Sequence, residues 1–294
     1  MNRTNRTNSP SRIALRVSIL FCALVAARAA ELRVPATIEA GQAFTIPLEG
    51  SGSATFYLIG PDHVIKRAVT LGTPVQIQSS DVHAAGRYQA LLCDSSCTST
   101  AFEVKAAQPG NLSFFLHPSR VPVSMPDSID ATAFVFDQYF NLILAPSEVN
   151  FEVTPANGPG FSRQSPTHEG VTSIRMNSTP HEGPVRVTAV VGKIEEPRVI
   201  QQVAAEACGL RMKAVTNGNS VSLETDPVRD CSGNALPDGT VVSFTKIDGE
   251  GKSTVDTPIK KGIAKVQFSL HGHAQISVAC GVVLGNEVQL NGRS

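Results

Sequence analysis

From Leu32 to the C-terminus, apolar residues fall at alternate positions in short runs separated by turn residues. In VRVTAVV, Val185, Val187, Ala189 and Val191 share one face, and Ala274, Ile276, Val278 and Cys280 repeat the arrangement further on. Successive side chains of a strand point to opposite sides, so a period of two with one apolar face marks a half-buried strand. The runs LRVPATI, AFTIPLEG, ATFYLIG, HVIKRAVTL, VQIQ, GRYQALLC and TAFEV predict seven strands, with turns such as Glu39-Ala40-Gly41 and Gly60-Pro61-Asp62 between them. Seven strands within about seventy-five residues predict a small β-sandwich. No long stretch of helical periodicity occurs outside the N-terminus.

Later segments repeat one another. FDQYFNLILAPSEVNFEV (Phe136–Val153) aligns with RDCSGNALPDGTVVSFTK (Arg229–Lys246), so that Asp137, Asn141, Val149 and Phe151 match Asp230, Asn234, Val242 and Phe244, each displaced by 93. EGVTSIRM then meets KGIAKVQF, and GPVRVTAVVG meets GHAQISVACG, with displacements of 92 and 89. A period near ninety residues is too long for a solenoid repeat and suits tandem domains, each with its own core. Both Asp-x-x-x-Asn stretches are followed by proline, and Asn tolerates positive φ while both side chains bond local backbone. Asp137, Asn141, Asp230 and Asn234 are therefore expected to be turn formers rather than ligands.

Two resemblances follow from these residues. DVHAAGRYQA resembles the immunoglobulin-type approach to a sandwich's penultimate strand, which makes Tyr88 a corner tyrosine whose hydroxyl bonds back to the backbone; Ala90 stands where antibody domains place a cysteine. The C-terminal stretch, with Asp230-x-x-Gly233-Asn234, Val242-x-Phe244, a Gly-rich loop, Gly262-x-Ala264 and a Val-rich strand, resembles the group 1 bacterial immunoglobulin-like module of invasin- and intimin-type surface proteins. Residues 208–294 fit this outline well and 110–205 more loosely, with Phe140 where glycine is expected. The resemblance implies stalk-like units. It carries no adhesive residue over, because no matching motif is present to receive one. The expected fold is all-β: a signal peptide over residues 1–29, then three tandem immunoglobulin-like sandwiches over 30–107, 108–205 and 206–294.

The N-terminus reads as an export signal. Residues 1–29 hold five arginines and no acid, an eleven-residue apolar run from Val17 to Ala27, and small residues Ala27 and Ala29 before a cut at Ala30. Eleven residues are too few to span a bilayer. The bulky Phe21 before Cys22 argues against lipidation there. Without this segment 20 basic residues face 25 acidic ones, a formal charge of about −5, which excludes a basic footprint for nucleic acid or anionic lipid. The mature chain is expected to be exported, to a periplasmic, cell-surface or extracellular location, with no integral membrane segment.

Five cysteines remain, and in an exported chain disulfides are the first reading. Cys93 and Cys97 flank Asp94-Ser95-Ser96 and are placed to clip a hairpin tip; a metal pair is the rival, without a nearby third ligand. Cys208, Cys231 and Cys280 gather at one end of the third sandwich, with Cys280 in the place of Val191. Cys208–Cys231 is favoured, and Cys231–Cys280 and Cys208–Cys280 remain open.

The remaining motifs exclude more than they assign. DGEGKST (Asp248–Thr254) ends like a phosphate-binding loop, but Lys246 stands where its first glycine belongs and no helix follows, so a polar connection is predicted instead. Lys252 occupies the third ligand position of a calcium loop. His168, His181, His271 and His273 lie in turns leading into strands, where solvated histidines are expected and only His271 with His273 offers weak metal binding. No GxSxG, Cys–His pair or paired acids suggest catalysis, and no cofactor is implied. The expectation is a non-catalytic exported structural or interaction protein. The alternative is an adhesin-like or envelope-protein-binding module that recognises a protein or glycan through its first domain. The absence of Trp and the presence of only 3 Tyr weigh against glycan.

Overall fold

The computed structural model describes residues 32–292; the predicted signal peptide, with Cys22, lies outside the described residues. Among the described residues every regular element but one is a β-strand, the exception being a 3-10 turn at Ser79–Asp81. No helix among the described residues is long and apolar enough to cross a membrane.

In the N-terminal unit all seven predicted runs contain a strand. Five of them form a sheet in the spatial order Thr37–Glu39, Cys97–Lys105, Gly86–Cys93, Ser53–Ile59, Val64–Thr70. Phe44–Ile46 pairs separately with Val75–Ile77. Thr37–Glu39 runs parallel to Cys97–Lys105, whereas the other neighbours are antiparallel. Ile38, Ile46, Phe56, Leu58, Ile77 and Tyr88 fill the space between the layers.

The central unit sets a sheet of Val171–Met176, Ile129–Asp137 and Pro109–His117 against one of Phe161–Pro166, Glu148–Pro155, Gly183–Val191, Ile194–Val203 and Arg120–Pro122. In Gly183–Val191 the residues Val185, Val187, Ala189 and Val191 are buried, on the face that the alternation predicts. They pack with Phe114, Phe151 and Ile200. The C-terminal unit repeats the plan: Met212–Asn217, Ser220–Thr225 and Lys265–Ser269 form one sheet. Gly251–Pro258, Val241–Asp248, His273–Cys280 and Val283–Asn291 form the other. Val221, Leu223, Phe244, Ile259 and Ile276 are buried between them. Each fully buried aliphatic or aromatic side chain contributes about 1.5–3 kcal/mol, so the three clusters are the main source of stability.

DGEGKST departs from the expected connection. Only Gly249 and Glu250 turn, and Gly251–Pro258 is an edge strand in register with Val241–Asp248, from Asp248↔Gly251 to Val241↔Pro258. The β-branched residues Thr254, Val255 and Thr257 favour the extended chain. A two-residue turn closes the hairpin, with Gly251 at φ 120. The polar composition marks an exposed edge rather than a loop.

Candidate functional site

The two Asp-x-x-x-Asn loops lie where one unit meets the next, and each makes the same set of bonds. In the first, Asp137 is fully buried, and its Oδ1 accepts from the amides of Tyr139 (2.8 Å) and Asn141 (2.9 Å). Its Oδ2 accepts from the Asn141 side chain (2.8 Å) and from the amide of Ala107, in the segment arriving from the preceding unit (2.9 Å). Asn141 then crosses the junction. Its Nδ2 donates to the His83 carbonyl at 2.7 Å, and its Oδ1 accepts from the Ala85 amide at 2.7 Å.

The second loop repeats this bond for bond. Asp230 Oδ1 accepts from the amides of Ser232 and Asn234, both at 2.9 Å. Asp230 Oδ2 accepts from Asn234 Nδ2 and the Ala205 amide, both at 3.0 Å. Asn234 Nδ2 donates to the Pro180 carbonyl at 2.9 Å, and its Oδ1 accepts from the Glu182 amide at 3.3 Å. Each carboxylate thus orders its own turn and seizes the incoming linker, while each asparagine grips the last loop of the unit before.

Electrostatics follow from this geometry. Burial alone pushes the Asp137 carboxyl up, but the Asn141 side chain and the amides of Ala107, Asn141 and Tyr139 outweigh it and hold the carboxyl below its ordinary range. Asp230 is held down against burial by Asn234, Ala205 and Ser232 in the same way. A carboxylate accepting several amide hydrogen bonds is stabilised in its charged form.

The intervening loop residues complete each junction. Tyr139 presses its ring on Gly41, which sits at φ 76 and leaves no room for a Cβ. Ser232, at the equivalent place, faces Ser124 with hydroxyl oxygens 2.7 Å apart. Phe140 adopts φ 63 where the second loop has Gly233 at φ 87. An aromatic residue with positive φ is uncommon and strained. Its side chain is 73% exposed, beside a groove of about 960 Å³ that also holds Leu144 and Ala107.

The other sequence-predicted residues stand apart from the junction clamps or at their margins. Cys93 and Cys97 lie opposite each other across the hairpin and are bridged. Cys208 is bridged to Cys231, within the second clamp loop, and Cys280 is free and buried. Burial, helped by the charge of Glu206, raises the Cys280 thiol. Tyr88 is fully buried against Phe102 and Gly60, and its hydroxyl has only the Ala84 backbone nearby, without the geometry of a full hydrogen bond, so the expected corner bond is not made. Burial first, then the charge of Asp62, pushes that hydroxyl up to about 12 against the opposing pull of the Ala84 backbone. His273 Nδ1 lies 2.9 Å from Asn291 Oδ1, away from His271. Asp248, Glu250 and His271 bring ligand atoms within 4.8 Å of one another, but the Lys246 ammonium sits 2.5 Å from Asp248 and supplies the counter-charge a cation would bring.

Reading the sequence alone gave Asp137, Asn141, Asp230 and Asn234 a local role and missed their reach into the preceding unit. The available signal was their recurrence at one displacement, 93, in two stretches of matching sequence.

Compared by sequence, the chain matches no family model and no curated protein. Solved structures match by fold. FdeC, an adhesin of Escherichia coli, superposes with a TM-score of 0.59 at 14% identity, over 88% of this chain and 95% of that one. Invasin, a bacterial integrin-binding protein, gives a TM-score of 0.49 at 12% identity, over 90% of this chain and 59% of that one. The likeness to FdeC identifies an all-β fold of immunoglobulin-like sandwich units.

Proposed function

We propose that this chain is a non-catalytic exported interaction protein, an adhesin-type rod of three tandem immunoglobulin-like sandwiches related to the group 1 bacterial modules. The clamp repeated at both junctions carries this reading. A stalk must hold successive units in a fixed relation, and two buried carboxylates with the same linker and loop partners serve that purpose. The fold likeness to a bacterial adhesin supports the interaction role, and the two disulfides fit an oxidising, extracytoplasmic location. The bound partner is a protein, recognised through the N-terminal unit, where the Cys93–Cys97 bridge pins the exposed turn Asp94-Ser95-Ser96.

Small-angle scattering of the mature chain tests the architecture: an extended rod is expected, and a compact globule overturns it. Binding assays test the role. A saturable protein ligand recovered from envelope or host-surface extracts, lost when Asp94, Ser95 and Ser96 are replaced by glycine, supports the reading. Glycan binding without protein binding, or turnover of generic ester, peptide or glycoside substrates, refutes it.

A further inference from the structure

One difference between the two junctions is that the loop gripped by Asn141 is built on a pair of stacked histidines. The rings of His63 and His83 lie 5.6 Å apart and nearly parallel, at 7°. Both lean on one carboxylate, with His63 Nδ1 2.6 Å from Asp62 Oδ1 and His83 Nε2 3.2 Å from Asp62 Oδ2. Their other nitrogens face main-chain carbonyls, His63 Nε2 at 3.1 Å from Asp81 O and His83 Nδ1 at 2.8 Å from Ser80 O. We propose that the Asp62–His63–His83 cluster makes the first junction proton-sensitive, gripped more firmly in mildly acidic solution than at neutral or alkaline pH.

The argument is one of donors and acceptors. A carbonyl or ionised carboxylate oxygen only accepts, and a neutral imidazole has one N–H and one lone pair. With all four ring nitrogens facing acceptors, each neutral ring turns a lone pair toward an oxygen, and each protonated ring satisfies both contacts. Asp62 remains the anion. Burial raises its carboxyl, but the hydrogen bond and charge of His63, with the charge of His83, leave it below its ordinary value. The attractive nitrogen–oxygen distances of 2.6 and 3.2 Å are shorter than the ring–ring separation of 5.6 Å, so the shared carboxylate offsets the repulsion between two imidazolium rings.

Neighbouring groups do not supply the missing donors. Asp81 Oδ2 is occupied by Arg67 Nη2 at 2.7 Å and the Gln78 amide at 2.8 Å. Tyr88 meets His63 edge-on at 6.4 Å between ring centres and stays neutral throughout this range, because its hydroxyl is raised to about 12. From the central unit, the Tyr139 ring faces His83 at 6.3 Å, and the charge of Asp137 is spent on its own four donors.

The cluster couples directly to the clamp. The His83 carbonyl accepts from Asn141 Nδ2, and the Ala85 amide donates to Asn141 Oδ1. Every acceptor around the two rings is met by an N–H only while both rings carry their second proton, so the loop loosens as that proton leaves. In the second junction the corresponding loop, Pro180-His181-Glu182, shows no stacked ring among the described residues.

Amide hydrogen exchange on the intact mature protein, corrected for intrinsic rates, tests this. The Ala85 amide is expected to be at least tenfold better protected at pH 5.5 than at pH 7.5, relative to Ala205 in the other junction. A His63→Gln, His83→Gln double variant removes the difference, and His63→Gln alone retains part of it. Equal relative protection at the two pH values in the native protein, or a difference that survives in the double variant, overturns the proposal.

Discussion

Replacing Asn141 by alanine removes both bonds that tie the central unit to the loop of the N-terminal unit, at 2.7 Å each, while leaving Asp137 with its three amide donors. A hydrogen bond between neutral groups contributes about 1 kcal/mol net, and these groups are only partly buried, so water repairs some of the loss. The two bonds together amount to about 2 kcal/mol, which shifts the equilibrium between gripped and open junctions roughly 30-fold. The Ala107 amide reports that opening, because its acceptor, Asp137 Oδ2, stays in place and loses only the donor from the Asn141 side chain. Its exchange protection is expected to fall about 30-fold, while Ala205, held by Asp230 in the second junction, keeps its protection. Asn234→Ala should produce the mirror result. Unchanged Ala107 protection in Asn141→Ala refutes the clamp as the element that holds the units together. A parallel loss at Ala205 shows that the effect is global unfolding instead.

The depressed carboxyls of Asp137 and Asp230 stabilise the fold fully above the ordinary carboxylate value of 3.8, and that stabilisation is lost as pH falls through their lower folded values. Acid unfolding followed by circular dichroism should therefore become less steep in Asp230→Asn, which is destabilised at neutral pH. Gly41→Ala places a methyl group against the Tyr139 ring at a φ of 76, and should lower stability by more than about 1 kcal/mol in urea titration. Adding Tyr139→Ala removes the steric part of that loss and leaves the backbone part. Reducing Cys208–Cys231, which closes a separation of 23 residues, should cost about 3 kcal/mol, against about 2 kcal/mol for the separation of 4 at Cys93–Cys97. Comparing the native chain with Cys208→Ser/Cys231→Ser and Cys93→Ser/Cys97→Ser variants checks the ranking, and a reversed order contradicts it.

The strands were legible because burial on one face imposes a period of two, as at Val185, Val187, Ala189 and Val191. Edge strands were harder. Gly251–Pro258 has almost every residue exposed, so no alternation marks it, and its glycine, lysine and serine content reads as a turn. The clamp was half legible. Asp137 and Asn141 have the side chains of turn formers and do form a turn, but their partners Ala107, His83 and Ala85 offer only main-chain groups. Any residue but proline could donate from 107 and 85, and any residue could accept at 83, so no sequence signal reveals them. The histidine cluster was invisible for a related reason: Asp62-His63 and His83 occupy separate turns and meet only when the sheet brings those turns together.

The clamp also has a direction. The gripping side chains always belong to the downstream unit and the gripped backbone to the upstream one. The corresponding loop of the N-terminal unit, Pro47-Leu48-Glu49-Gly50-Ser51-Gly52, has neither aspartate nor asparagine. A gene that grows by copying the central or C-terminal unit downstream therefore copies a grip with every unit and needs only backbone from the neighbour before it. A unit moved ahead of the N-terminal one would meet a loop with nothing to hold it by. The order of the units is in this sense written into the loop that grips, and adding units to this chain is a one-way operation.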